Sequence, residues 1–244
     1  MQRVAIADEW WAQDFGCSVE ALRPVRARVQ AHRARLSGTP GIWVLVAGGA
    51  PLISMPADVF ASHGERALAW TSALVSDQAR LVHELSGLAA GRVGKVIGPA
   101  PIHYGSAASL DLRDAVRAAN FAPEAAVVSE LRDACGEAWT DGGSEPSEGV
   151  PLFGAFDEAN RLAALASYEV WNGAIAHIYV ITHPERRGRG FGRAAVAQAA
   201  EHALAAGLVP QYRTLQANAP AIAVAKRLGF VEYGFSVYVR MQAG

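Results

Sequence analysis

The residues best suited to chemistry lie between Val180 and Arg193, in the order Val-Ile-Thr-His-Pro-Glu-Arg-Arg-Gly-Arg-Gly-Phe-Gly-Arg. An apolar strand is expected to end at Thr182. A turn at His183-Pro184 follows, and an arginine- and glycine-rich loop then enters an alanine-rich helix. Glycine lets a backbone approach a ligand closely, and a helix start offers unpaired N–H groups with a partial positive charge. With Arg186, Arg187, Arg189 and Arg193 alongside, the stretch predicts a cradle for a phosphorylated ligand. The competing reading is a surface turn that merely caps a helix.

The rest of the composition keeps that cluster local. The 244 residues are 51% hydrophobic and 18% charged with a formal net charge of -1, the profile of a soluble globular protein. No global field draws such a chain to nucleic acid or an anionic membrane, and four arginines without a wider basic face make a poor nucleic-acid footprint. Cys17 and Cys135 match no metal-ligand spacing, so no metal is expected, and two free thiols in a reducing cytoplasm are preferred to a disulfide. The first residues lack the apolar core of a signal peptide. The longest charge-free apolar run, from Gly41 to Pro56, is interrupted by glycine and proline and is too short to span a bilayer. A cytoplasmic protein is expected.

Several motifs fail on inspection. Gly94-Lys95 suggests a nucleotide phosphate loop, but Ala89 replaces its first glycine and Val96 its hydroxyl residue. His83-Glu84 lacks the second histidine of a zinc-protease helix, and no Gly-x-Ser-x-Gly elbow occurs. His32, His63, His83 and His103 read as surface or internally satisfied residues.

The positioning elements follow from periodicity and punctuation. Helices are expected at Asp8–Phe15, Pro56–Trp70, Asp77–Leu85 and Leu110–Asn120. Val25–His32 alternates as a strand, and Ile42–Ala47 with Pro51–Met55 reads as a hairpin across Gly48-Gly49. Gly91–Gly105, rich in glycine and proline, is read as a loop around one short strand at Val93–Ile97. Beyond a boundary near Pro123 come strands at Pro151–Phe156, Arg161–Trp171 and Ala174–Thr182, the last two joined by Asn172-Gly173. A helix from Phe191 to Ala206 ends at Gly207, and a strand is expected at Tyr212–Gln216. A helix capped by Asn218 stops at Gly229, and a final strand spans Phe235–Met241.

That order resembles the GNAT superfamily of N-acetyltransferases. Arg187-Gly188-Arg189-Gly190-Phe191-Gly192 fits the family's R/Q-x-x-G-x-G/A loop, and Thr182-His183-Pro184-Glu185 is its usual approach. Asn218, Ala221 and Lys226-Arg227-Leu228-Gly229-Phe230 fit a second family motif at the family's spacing. The resemblance covers about Val127 to Met241. It implies an α+β fold, a mixed and mostly antiparallel sheet flanked by helices, with an additional N-terminal α+β domain. Residues 123–244 would then be the catalytic domain. Residues 1–122 would either shape the acceptor pocket or form a degenerate companion domain. The resemblance also implies acetyl-CoA as cosubstrate. Its pyrophosphate would lie on Arg187, Gly188, Arg189, Gly190, Phe191, Gly192 and Arg193, with Asn218 nearby. Its pantetheine amides would pair with Val180, Ile181 and Thr182, in the manner of strand addition.

The catalytic pattern departs from the family. The tyrosine acid that many relatives carry in the second motif falls on Ala225, and the glutamate or histidine base falls on Ala176 or Ile178. His177 is adjacent but alternates to the opposite face. If Asn172-Gly173 is a two-residue turn, Glu169 lies opposite Ala176 and projects where the base belongs. Glu169 and His177 are therefore the catalytic candidates. No acid could be placed among Tyr212, Tyr233 and Tyr238. The expected function is acetyl-CoA-dependent N-acetylation of a small amine or amino-acid-like acceptor by a monomer or homodimer, with no nucleic-acid or membrane partner. The alternative is a non-catalytic acyl-CoA-binding module of sensory or regulatory type.

Overall fold

The computed structural model describes residues 2–71, 73–74, 77–89, 91–113, 118–121, 126–141 and 148–242. The chain divides into two compact units that do not follow chain order. Met1–Ile102, Thr214–Ala217 and Glu232–Gly244 form the first, and His103–Arg213 with Asn218–Val231 form the second. The boundary expected near residue 122 falls inside the second unit.

In the first unit, α1 (Gln2–Phe15), α2 (Ala57–Leu68) and α3 (Gln78–Leu88) accompany β1 (Arg28–Ala31), β2 (Gly41–Val46) and β3 (Leu52–Met55). The long strands β4 (Val93–Tyr104) and β10 (Val231–Met241) complete its sheet, in the order β1-β3-β2-β10-β4. Alternation builds the core. Val237 and Val239 of β10 share a face with Ile42 and Val44 of β2 and with Ile53 and Met55 of β3. Leu81, Leu85 and Leu88 of α3 recur at helical spacing and pack into the same cluster. Asp77 caps α3 by accepting the Arg80 N–H.

Two expected elements are corrected. The glycine- and proline-rich stretch after Gly91 is not a loop around a short strand but the twelve-residue strand β4. Its prolines lack N–H groups yet keep their acceptors. The Pro99 carbonyl takes the Gln216 N–H at 2.8 Å, and that of Pro101 takes the Thr214 N–H at 3.4 Å. Among the described residues of Leu110–Asn120, the expected helix is not found. Leu110 to Leu112 is irregular, with the Asp111 N–H bonded to the Leu228 carbonyl, and Ala118–Phe121 is a strand. Residues 114–117 lie outside the described set.

The second unit holds β5 (Ala118–Phe121), β6 (Leu152–Phe156), β7 (Leu162–Trp171), β8 (Ile175–Thr182) and β9 (Val209–Arg213), ordered β9-β8-β7-β6-β5. Neighbours are antiparallel except β8 and β9, which run parallel. Its helices are α4 (Ala126–Cys135), α5 (Glu137–Asp141), α6 (Phe191–Ala205) and α7 (Ala219–Arg227). One face of the sheet carries Phe153, Ala164, Ala166, Tyr168, Ala176 and Ile178, and it packs with Ala195, Val196, Ala199, Ala200 and Ala203 of α6. Small alanine side chains let that helix lie close to the strands. On the other face, Val128, Leu131 and Cys135 of α4 cover Leu152, Leu165 and Ile181. Both units are thus mostly antiparallel sheets flanked by helices. No helix among the described residues is long and apolar enough to cross a membrane.

Gly229 closes α7 at φ +79°, and a Cβ there would stand 2.1 Å from the Ser109 carbonyl oxygen. Gly207 closes α6 at φ +75° with open space around it. Gly207→Ala should therefore cost only the left-handed strain, roughly 1–2 kcal/mol. Gly229→Ala should cost clearly more, because backbone must move as well. Urea denaturation of both variants checks the difference, and equal losses would contradict it.

Candidate active site

The approach to the glycine loop is fixed from within. Pro184–Arg186 forms a 3-10 turn that His183 caps by accepting the Glu185 N–H at its Nδ1. Arg186 is buried, and its Nε donates to Asp157 Oδ2 at 2.7 Å. Asp157 also accepts the Arg161 and Ala159 N–H groups and the Arg161 Nε. The Arg161 backbone bond leads the forces that hold its carboxyl well below the usual carboxylate range, followed by the Arg186 and Arg161 side chains acting against burial. Arg186 therefore locks the loop to the β6–β7 turn and is not a free anion ligand.

The other arginines separate by exposure. Arg187 and Arg189 are exposed. Arg187 Nε donates to the Thr182 carbonyl at 3.4 Å, and the Arg189 guanidinium lies 5.5 Å over the Phe191 ring. Arg193 is half-buried in the first turn of α6. After Arg113, its charge helps hold the Asp111 carboxyl down to about 2. Gly188 and Gly190 take φ of +76° and +92°. Alternating handedness of this kind turns successive N–H groups outward as an anion nest. Gly192 meets the strand directly, since a Cβ there would come within 2.7 Å of Thr182 Oγ1.

Strand parity decides what β8 presents. The His183 N–H bonds to the Ala163 carbonyl, toward β7, whereas the Ala174 carbonyl accepts the Val209 N–H, toward β9. Backbone groups alternate sides along a strand. Those of Tyr179 and Ile181 therefore point to β7, and those of Ile178, Val180 and Thr182 point to the β9 side. Pairing with β9 ends at Ile178 opposite Tyr212, although β8 continues to Thr182. Val180 and Thr182 thus face an open edge, while Ile181 turns its backbone into the ladder. Because β8 and β9 are parallel, the helices that follow them both start at this end of the sheet. Asn218 caps α7 there, with its Oδ1 accepting the Ala221 N–H at 3.2 Å, and its side-chain amide remains exposed.

The hairpin register differs from expectation by one residue. Asn172 (φ +56°) and Gly173 (φ +66°) make the tight bend, but Ala174 joins the loop. Its N–H closes on the Trp171 carbonyl and its carbonyl is taken by Val209, so Trp171 pairs with Ile175 and Glu169 with His177. Glu169 does not lie beside Ala176. Ala176 and Ile178 are buried under α6, on the face that cannot receive a substrate. Glu169 and His177 share the opposite face, both half-buried.

On that face the His177 ring stacks on Trp171, with centroids 4.1 Å apart at 18°. Its Nδ1 is 2.9 Å from Gln211 Oε1, and Gln211 Nε2 donates to the Tyr104 hydroxyl at 2.6 Å. Burial first, then the Arg213 charge, pushes the His177 imidazole down to about 4. Ala225 is buried in the core. Tyr212 is buried against Phe230, and burial pushes its phenol far up. Tyr233 donates to Asp8 and Tyr238 to the Pro40 carbonyl, both inside the first unit. Gln211, Tyr104 and Asp157 escaped the sequence reading. A glutamine between Pro210 and Tyr212 in an otherwise apolar strand was the available signal, since a buried amide needs partners.

The family comparison bears on this second unit. Residues 115–230 match the Acetyltransferase (GNAT) family model. This region is similar to GNAT-family acetyltransferases. Solved structures resemble the chain more distantly. A GNAT-family acetyltransferase from Novosphingobium aromaticivorans is 21% identical with a TM-score of 0.48, over 63% of this chain and 68% of that one. One from Colwellia psychrerythraea is 17% identical with a TM-score of 0.47, over 68% and 63%. A GCN5-related N-acetyltransferase from Kribbella flavida is 18% identical with a TM-score of 0.48, over 66% and 64%. No curated protein matches. Over that stretch the chain is similar to acyltransferases, and acyl-CoA is the donor that the family uses.

The Asp157 lock has a pH signature. Its folded value lies below the unfolded one of about 3.9. The stability it contributes is therefore present above the unfolded value and is lost as pH falls through the folded one. Asp157→Asn should lower Tm by a constant amount from pH 5 to 8, and the gap to wild type should shrink below about pH 4. A gap that widens in acid would contradict the assignment.

Proposed function

We propose that the second unit is an acetyl-CoA-dependent N-acetyltransferase for a small primary amine or amino-acid-like acceptor. The observation that carries this reading is the parting of β8 from β9 beside the glycine loop. Val180 offers a donor and an acceptor, and Thr182 a donor, to the pantetheine amides along one line, the Thr182 carbonyl already accepting the Arg187 Nε. At its end the N–H groups of Gly188, Arg189, Gly190, Phe191 and Gly192, with the exposed Arg187 and Arg189, meet the pyrophosphate. Gly188 and Gly190 leave the space that a Cβ would fill, so the residues present fit the group. Arg193 and Asn218 flank it. Ile181 contributes its side chain to the core beneath.

Transfer requires a neutral amine nitrogen to attack the thioester carbon. The C–N bond forms, the C–S bond breaks, and one proton passes from nitrogen to sulfur. Glu169 and His177 are the proton acceptors, on the face away from α6. On this reading the chain works in the cytoplasm as a monomer or homodimer, on a diffusible amine and not on nucleic acid or a membrane, without a metal.

A second reading has its own support. Ala225, Ala176 and Ile178 occupy the family's acid and base positions and are sealed in the core. A non-catalytic acyl-CoA-binding regulatory module would look the same. Thiol release from acetyl-CoA with a panel of amines separates the two. Amine-dependent release is expected, with Glu169→Gln lowering kcat about tenfold or more. A cofactor-induced thermal shift without release from any amine would favour the binder.

Strand parity makes a separate prediction. Val180→Pro removes an N–H from the open edge, whereas Ile181→Pro removes one from the β7 ladder. Ile181→Pro should destabilise by at least about 1 kcal/mol more. Val180→Pro should keep the fold and lose most of the Tm rise caused by coenzyme A. The reverse ranking in differential scanning fluorimetry would overturn the edge assignment.

A further inference from the structure

Gln211 is fully buried in β9, and burying an amide is costly unless both of its ends are bonded. Here both are. Its Nε2 donates to the Tyr104 hydroxyl at 2.6 Å, which leaves Oε1 as the end facing His177 Nδ1 at 2.9 Å. An amide oxygen only accepts, so His177 Nδ1 must carry the proton. The Nε2 of a neutral imidazole is then bare, and it makes no hydrogen bond among the described residues. Trp171, stacked at 4.1 Å, fixes the ring plane, so the lone pair has a set direction. The strand register lines up Glu169, His177 and Gln211 across three strands, with Tyr104 at the end of the row.

We propose that Gln211 and Tyr104 are positioning residues that hold His177 in the Nδ1–H tautomer, so that its Nε2 takes the amine proton and delivers it to the departing sulfur. The inference rests on the acetyltransferase reading for its use, though not for its geometry. The step balances. Nε2 gains the proton as the C–N bond forms, the imidazolium keeps its Nδ1–H on Gln211, and the same proton leaves from Nε2 to the thiolate as the C–S bond breaks. An imidazole pushed down to about 4 becomes a strong acid once protonated, while an ordinary thiol sits near 8.5, so the return to sulfur runs downhill. The charged and titratable groups facing the ring are Glu169 from β7, Tyr179 two residues on along β8, Arg213 on the same face of β9, and Tyr104 behind Gln211. Arg213 disfavours the imidazolium, and neither Gln211 nor Tyr104 supplies a negative charge to stabilise it.

The test uses the whole chain labelled with 15N-histidine, whose seven histidines are resolved by two-bond 15N–1H correlation. His177 is assigned by its loss in His177→Gln. Wild type should show the Nδ1–H tautomer and remain neutral down to about pH 5, well below an ordinary histidine. An Nε2–H tautomer, or titration near 6.5, overturns the proposal whether or not the protein turns over. Gln211→Glu places a carboxylate on Nδ1 and should raise the His177 titration by more than one pH unit. The acidic limb of the kcat/KM profile should move up by the same amount, with KM for acetyl-CoA unchanged. A limb that stays put while the NMR titration moves removes His177 from the reaction. If wild type releases no thiol with any amine, the acetyltransferase reading fails on its own, and the tautomer result still judges the positioning claim.

Discussion

Along β8, successive backbone groups point to opposite neighbouring strands and successive side chains to opposite faces, so a slip of one residue exchanges every role in the site. Ala174 sets that phase. Its N–H closes the turn on Trp171 and its carbonyl is held by Val209, which anchors the residue just before the strand from both sides. From there the ladder carries the phase to Thr182. It places the backbone of Val180 and Thr182 at the open edge and puts the side chains of Glu169 and His177 on one face. A two-residue turn would have paired Glu169 with Ala176 and put it under α6, in an alanine-lined core with no room for a carboxylate. The two proposed proton acceptors share the face away from α6 because the loop takes in a third residue.

The glycine loop was legible because its logic is local. Left-handed conformations at Gly188 and Gly190, a helix start at Phe191 and a strand end at Thr182 are all written in adjacent residues. Strands β6, β7 and β8 and helices α6 and α7 followed from alternation and caps for the same reason, whereas α4 and α5 were not foreseen and the strand expected at Tyr212–Gln216 lies at Val209–Arg213. Three further features were not legible. The turn length at Asn172 depends on Val209, distant in sequence and adjacent in space. Strand β4 hides behind glycine and proline, because its prolines act through carbonyls that receive N–H groups from Thr214 and Gln216. Ala118–Phe121 joins a sheet, although Leu112, Ala115, Val116 and Ala119 read as a helical stripe; alanine fits either period, and β6 decided between them.

Arginine count also misleads. Four arginines in eight residues suggest one electropositive cradle, yet each is disposed differently by its partners. Arg186 spends its charge on Asp157 inside the protein, where it joins the turn before β7 to the loop after β8. Arg193 shares the field of Asp111. The proposed anion site would then depend mainly on backbone N–H groups whose direction is set by two left-handed glycines, with the exposed Arg187 and Arg189 at its rim. Fixed dipoles lose no side-chain entropy on binding, whereas two exposed arginines do. The geometry of the loop matters more than its charge.

The missing acid of the second motif follows from the same economy of groups. Ala225 is fully buried in the cluster that also holds Leu228 and Phe230, which leaves no space for a tyrosine ring. A dedicated acid is needed only when the base that takes the amine proton binds it too firmly to give it back. An ordinary glutamate paired with a high-pKa tyrosine divides the two tasks. An imidazole depressed by burial and by Arg213 does not need that division, because it holds the proton weakly and sits on the face where the thioester must lie if Val180 and Thr182 grip the pantetheine. The same depression weakens it as a base, so it can serve only an amine that arrives neutral or sheds its proton after attack. The depression comes from burial and from Arg213, and Gln211, a neutral amide, opposes it only through its hydrogen bond.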